Sequence, residues 1–342
     1  MSKTTCSERQ PVLIVAELSA NHGKDLSLAL DTVAAFAEAG ADAIKVQTFR
    51  PESLCMNLDN EYFGARKSGL WKGKTLWEIY DEASLPYEWH ESIQAACNEH
   101  GVEFFSSPFD LEAVDFLSQL GVPRYKIASM EINDLPLIHK AASQGKPMIL
   151  STGLADQTDI ERAIHTCRQA GNEDITLLKC TSSYPATLRE ANLLTLPDMA
   201  ARFGVPVGVS DHTLGCTVPV TATALGATLI EKHVVLNRQA RTLDMEFSML
   251  PDEFAQMVAQ VRAVEEVLGQ VSYQISAEDR LRRRSLFVVD DIQAGQIVQA
   301  SNFRSLRPGH GEEPAALPQL IGKRAKKAIA AGTPARLEDF TD

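Results

Sequence analysis

A (β/α)8 (TIM) barrel followed by a small β-rich domain is the α/β fold class that this sequence predicts, on three observations. Eight short apolar runs recur over residues 12–233, each ending in a polar or ionisable residue. Seven segments of helical character separate these runs and an eighth follows the last. Past residue 282 the pattern changes to short strands and turns. Strand then helix, eight times over, is the pattern of a barrel whose catalytic residues project from the C-terminal ends of its strands.

The runs are VLIVAE to Glu17, AIKVQ to Gln47, VEFFSS to Ser107, YKIAS to Ser129, MILS to Ser151, ITLLKC to Cys180, VGVSDH to His212 and TLIEKH to His233. Asp25–Ala39, Tyr87–His100, Leu111–Leu120, Asp159–Ala170 and Asp252–Leu268 carry apolar residues at helical spacing. Gly40, Gly101, Gly121 and Gly171 stand just past the first four, where a left-handed cap turns the chain back toward a strand. One connection breaks the rhythm. Between Phe49 and Leu85 lies a long insertion after the second strand. Loops of that length in a compact domain act as lids or binding loops, so this one is expected over the catalytic mouth.

A chain of 342 residues accommodates a barrel of ~250 residues and one small domain. The expected division is a barrel over residues 1–270, a polar linker over 271–282 and a β-rich domain over 283–342. Charge follows it: residues 283–342 hold 9 Lys/Arg against 7 Asp/Glu, whereas residues 1–282 hold 24 against 38. The net charge of −12, with no basic stripe interleaved with aromatics, argues against a nucleic-acid partner. No run approaches the ~20 apolar residues of a membrane span. Six scattered cysteines without a CxxC pair read as reduced thiols, and the expected location is cytoplasmic.

His212 and His233 end consecutive strands. Neighbouring strands lie ~4.8 Å apart, so two imidazoles at matching height can share one cation. An open site of two neutral histidines suits a divalent ion, Mn2+ first, with Mg2+ and Co2+ also able to enter. Alternation puts Ser210 with His212, and Glu231 with His233, on common faces. Lys45 and Lys126 sit inside apolar strands, where an ammonium is costly unless paired. Each either pairs with a barrel carboxylate or joins Ser107, Ser129, Ser151, Ser182 and Ser210 in a cradle for a small, multiply charged anion. Glu17, Glu131 and Asp244 remain for acid–base work or for sugar hydroxyls.

AELSANH, KVQTF, FSSPFD, YKIAS, STG, KCTSSYP, SDHT and EKH, followed by RPGHG, resemble the sialic acid (nonulosonate) synthase family over about residues 11–338. LWKGKTLWEIYDEASLPYEWH and CTSSYPA are most similar to its pseudaminic acid branch. The resemblance implies a metal-dependent transferase that condenses phosphoenolpyruvate with an open-chain N-acetylated amino-hexose, releasing phosphate by C–O cleavage. For that branch the sugar is 2,4-diacetamido-2,4,6-trideoxy-altrose. It implies His212 and His233 as metal ligands, and Lys45, Ser107, Lys126, Ser129, Ser151, Ser182 and Ser210 as the phosphoenolpyruvate site. Glu17, Gln47, Tyr184 and Asp244 match sugar-contacting positions, and Glu131 is the candidate to manage the proton of the attacking water. The last domain resembles the antifreeze-like (SAF) module, whose arginine, here Arg307, reaches the active site of the partner subunit in a domain-swapped homodimer. RTLDMEFS around Asp244 lacks the glycines common in this branch. Three other readings stay open: an N-acetylneuraminate or legionaminate synthase, a Schiff-base aldolase using a strand lysine such as Lys126 or Lys179, and a non-enzymatic carbohydrate- or ice-binding protein.

Overall fold

The structure, a computed structural model, describes residues 10–69 and 71–342. Eight strands close a parallel barrel in sequence order: β1 Leu13–Glu17, β2 Ala43–Thr48, β3 Glu103–Pro108, β4 Tyr125–Ile127, β5 Met148–Ser151, β6 Ile175–Cys180, β7 Val207–Asp211 and β8 Leu229–His233. β8 pairs with β1, Glu17 opposite His233, which leaves no sheet edge. Four predicted strand ends shift; β2 and β3 each run one residue further, to Thr48 and Pro108. β4 stops at Ile127, and Ser129 opens a 3-10 turn, Ser129–Glu131, that turns Glu131 over the barrel mouth. His212 stands one residue past β7.

The helices are α1 Leu26–Glu38, α2 Pro51–Leu54, α3 Leu76–Ala83, α4 His90–Glu99, α5 Leu111–Leu120, α6 Leu135–Ala142, α7 Gln157–Gln169, α8 Thr195–Phe203, α9 Thr217–Ala224 and α10 Pro251–Leu268. Local chemistry sets their limits. Asp25 caps α1 by accepting the Ser27 amide at 2.8 Å, and Gly40, just past its end, takes φ +93°. α1 then buries Ala29, Val33 and Phe36 against the sheet. The expected Tyr87–His100 helix begins as a 3-10 turn, Tyr87–Trp89, which follows the extended Pro86 and leads into α4. The insertion supplies α2 and α3 rather than one open loop.

Two cores follow from strand alternation. One lies between sheet and helices; the other, Val15, Ala43, Phe105, Ile149, Leu178 and Leu229, fills the barrel below its mouth. Gly208 belongs to this second packing, since a Cβ there would run into the Leu229 carbonyl and the Leu178 side chain.

A second compact unit runs from Gln270 to Asp342. It contains α11 Ala277–Leu281, β9 Ser285–Val288 antiparallel to β10 Phe303–Leu306, α12 Leu317–Leu320, and β11 Arg324–Ala325 paired with β12 Phe340–Thr341. Leu286, Val288, Ile292, Val298, Phe303, Leu320 and Phe340 form its core. The expected linker is therefore partly helical. Ser276 caps α11 by accepting the Asp279 amide, and the Gly309 amide donates to the Leu281 carbonyl at 2.8 Å. No helix among the described residues is long and apolar enough to cross a membrane.

Candidate active site

A cavity of about 350 Å³ opens at the C-terminal ends of the strands. Glu17, Lys45, Gln47, Ser107, Lys126, Ser129, Glu131, Ser151, Ser182, Tyr184, Ser210, His212, His233 and Asp244 all line it. Every site residue expected in the barrel is thus brought to one place. Arg307 lies in the second unit, exposed and followed by a cis bond to Pro308.

The floor is built of ion pairs. Lys45 Nζ lies 2.7 Å from Glu17 Oε2 and donates to Ser107 Oγ at 3.3 Å. Lys126 Nζ donates to Glu231 Oε1 at 2.9 Å, an oxygen that also accepts the Ser210 hydroxyl at 2.9 Å. Both lysines therefore have the carboxylate partners their burial demands. An ammonium has three donors, so these contacts leave one N–H on Lys45 and two on Lys126 for a ligand. Burial would raise the Glu231 carboxyl, but Lys126 and Lys45 outweigh it and hold it at about 2. Glu17 is raised, because its burial outweighs the attraction of Lys45. Lys126 is raised despite burial, by the charges of Glu231 and Glu17. A lysine held protonated is a poor Schiff-base nucleophile, and Lys179 does not line the cavity. Both facts count against the aldolase reading.

A hydrogen-bonded chain crosses the floor toward the histidines. Gln47 Nε2 donates to Glu17 Oε1 and to Ser19 Oγ, each at 2.9 Å. The Ser19 hydroxyl donates to Asp244 Oδ2 at 2.6 Å, and that oxygen is 3.7 Å from His233 Nδ1. Ser19 holds φ +46°, a left-handed conformation unusual for a residue with a side chain. The loop around Asp244, despite its missing glycines, folds through the turns Arg238–Ala240 and Met245–Phe247, with Arg241 at φ +47°.

His212 and His233 stand with ring centroids 5.0 Å apart. Burial and the neighbouring cations push His233 well below its ordinary value, so it is neutral. Its Nδ1 is buried without a hydrogen-bond partner. His212 Nδ1 donates to the Thr181 carbonyl at 2.8 Å, which directs lone-pair chemistry to Nε2. Burial lowers His212 and raises Cys180, but their mutual contact wins at both, leaving His212 raised and Cys180 at about 7. The geometry favours the Thr181 carbonyl as the partner of His212, since Cys180 Sγ is 3.9 Å away. Two imidazoles, one with an orphaned nitrogen, fit an open divalent-cation site. Among the described residues no group of three or more His, Cys, Asp or Glu side chains could close a metal site.

Further unpaired polar atoms face the same space. Ser151 Oγ and Glu131 Oε2 are buried with no hydrogen-bond partner, and burial lifts Glu131 to about 7. Ser129 Oγ accepts the Gly153 amide at 3.1 Å. A Cβ on Gly153 would strike the Ser182 and Ser129 hydroxyls, so only glycine lets the two converge. Orphaned buried groups of this kind signal a ligand to complete them. Gly153, Ser19 and Glu231 are site residues to which the sequence reading gave no role. Glu231 had a readable signal, two residues before His233 on the same strand face.

A closed barrel with ionisable groups gathered at its C-terminal mouth defines a barrel enzyme. Residues 32–273 match the NeuB family and residues 283–341 match the SAF domain; the chain belongs to the NeuB family. It is 42% identical over 335 residues to a pseudaminic acid synthase of Helicobacter pylori, covering 97% of this chain and 98% of the relative. It is 37% identical to an N,N'-diacetyllegionaminic acid synthase of Legionella pneumophila, covering 94% and 92%. The crystal structure of an N-acetylneuraminic acid synthetase from Leptospira borgpetersenii superposes with a TM-score of 0.70 at 32% identity, covering 79% of this chain and 90% of that one.

Proposed function

We propose that this enzyme, a phosphoenolpyruvate-dependent nonulosonate synthase, condenses phosphoenolpyruvate, water and open-chain 2,4-diacetamido-2,4,6-trideoxy-altrose into pseudaminic acid and phosphate. Full-length likeness to the Helicobacter pylori synthase carries this reading. The floor supports it, since two buried lysines with spare donors stand among converging hydroxyls. Lys45, Lys126, Ser107, Ser129, Ser151, Ser182 and Ser210 hold the phosphate and carboxylate of phosphoenolpyruvate. Glu17, Gln47, Tyr184 and Asp244 face the sugar.

C3 of phosphoenolpyruvate forms a bond to the aldehyde carbon, leaving positive character at C2. Water adds at C2, and Glu131 takes a proton from it. The C2–O bond then breaks, so the water oxygen stays in the ketone and phosphate leaves. Of the two water protons, one ends on the former aldehyde oxygen and one on phosphate. Lys45 and Lys126 stabilise the charge on the departing phosphate. A divalent cation held by His212 and His233, Mn2+ as we propose, supplies Lewis acidity for the aldehyde oxygen. We also propose a cytoplasmic homodimer in which Arg307 of the partner subunit fixes the N-acyl group of the sugar.

The test is phosphate release from phosphoenolpyruvate offered with this sugar, with its legionaminic counterpart or with N-acetylmannosamine. The first should give the highest kcat/KM, and chelation should abolish turnover until Mn2+ is restored. A higher kcat/KM with either rival sugar would overturn the sugar assignment.

A further inference from the structure

The insertion after β2 supplies α3, whose sequence LWEIYDEA spaces Leu76, Ile79, Tyr80 and Ala83 at i, i+3, i+4 and i+7. That spacing is one stripe of a helix. In α1 the corresponding stripe is buried against the sheet. In α3 all four residues line the cavity instead, and only Ile79 is fully buried. Leu54 and Trp71 of the same insertion, with Phe49 just ahead of it, extend this apolar surface.

The wall is fixed at both ends. His22 Nε2 donates to the Ala83 carbonyl at 3.1 Å, since its Nδ1 accepts the Lys24 amide. Lys24 Nζ donates to the Ser84 carbonyl at 2.6 Å and to its hydroxyl at 2.9 Å. On the far side Trp71 Nε1 donates to the Leu243 carbonyl at 3.4 Å, tying the insertion to the loop that carries Asp244. A surface held this way is preorganised for its ligand.

The cavity therefore has two ends of opposite chemistry. Lysines, hydroxyls and histidines occupy the floor and the α3 stripe a side of the same cavity; on the proposed reaction the aldehyde lies on the floor, which leaves the wall for the far end of the sugar. We propose that the α3 stripe, Leu76 and Ile79 above all, determines specificity at the far end of the sugar and selects a terminal methyl over a hydroxymethyl. This rests on the proposed reaction and adds the residues that read one carbon of its substrate. A methyl covers apolar area that otherwise stays in water. A hydroxyl placed against Leu76 and Ile79 gives up its water and gains no partner from them. The donors on this side, Tyr80 and Arg66, suit the carbonyls of acylamino groups. An apolar wall rejects an added hydroxyl only modestly, by about 100-fold.

The experiment compares kcat/KM, by phosphate release, for 2,4-diacetamido-2,4,6-trideoxy-altrose and its counterpart bearing a 6-hydroxyl. The wild-type enzyme should prefer the methyl sugar by about 100-fold. Leu76→Gln should narrow that preference at least several-fold and leave the KM for phosphoenolpyruvate unchanged. Ile79→Thr keeps the β-branch, replaces its ethyl group with a hydroxyl and serves as the second variant. Equal kcat/KM for the two sugars in the wild type overturns the inference while the proposed reaction stands. So does a preference that neither variant alters. Phosphate release with N-acetylmannosamine but with neither diacetamido sugar overturns both, because that sugar ends in a hydroxymethyl.

Discussion

Two layers of side chains inside the barrel come from the same strands, one pleat apart, and have opposite chemistry. The lower layer is Val15, Ala43, Phe105, Ile149, Leu178 and Leu229, wholly apolar and buried. Two residues further along each strand stand Glu17, Lys45, Ser107, Ser151, Cys180 and Glu231. Both layers point inward because a strand repeats every two residues. Core becomes active site with no change of backbone, only one pleat of advance toward the mouth. The lower layer keeps water from the floor, and in that low dielectric the ion pairs above it are strong and the pKa values move.

The largest effect on turnover should come from stripping a partner out of the upper layer. Lys126→Met leaves Glu231 buried with the Ser210 hydroxyl and, 3.8 Å away, Lys45 as its partners, without its hydrogen-bonded ammonium. We expect a loss of about 3–5 kcal/mol in urea denaturation and a fall in turnover of about 10²–10³-fold. Adding Glu231→Leu should restore stability but not activity. A single variant as stable as the wild type would show that the pair carries no stability.

Next comes Glu131, lifted to about 7 by burial. In its proposed role as base for the attacking water it must be ionised, so turnover should rise with pH through about 7. Stability runs the other way. The folded state binds this proton more tightly than the unfolded chain, so the contribution is full below the ordinary 4.5 and is lost as pH rises through about 7. Glu131→Gln should flatten both trends and lower kcat about 100-fold. Persistence of the rising limb in the variant would assign it to another group.

The smallest effect on turnover should come from the lower layer. Leu178→Ala should cost about 3 kcal/mol of stability through the cavity it leaves. Its kcat/KM, measured below the melting range, should stay near the wild-type value. A large drop in a still-folded variant would mean that the lower layer positions the floor as well as sealing it.

The barrel was legible because eight apolar runs with polar ends carry their own signature, and the ends from Glu17 to His233 do line one cavity. The insertion was legible only as a lid over the mouth. Its helix α3 had a readable start, since Thr75 and Glu78 form a reciprocal capping box ahead of the apolar stripe. Ser19 had no such signal. Its positive φ goes with contacts that its hydroxyl makes with Gln47 and Asp244, which come from distant parts of the chain.

By itself the sequence determined the strand–helix repeat, the inward alternation of each strand and the set of ionisable groups delivered to the mouth, because these depend on local periodicity. Tertiary structure alone decided which lysine meets which carboxylate. Glu17 reaches Lys45 from the neighbouring strand, but Lys126 on β4 meets Glu231 on β8, directly across the barrel. Opposite strands touch only through side chains that meet near the axis of a closed barrel. No spacing along the chain encodes that contact; barrel closure creates it.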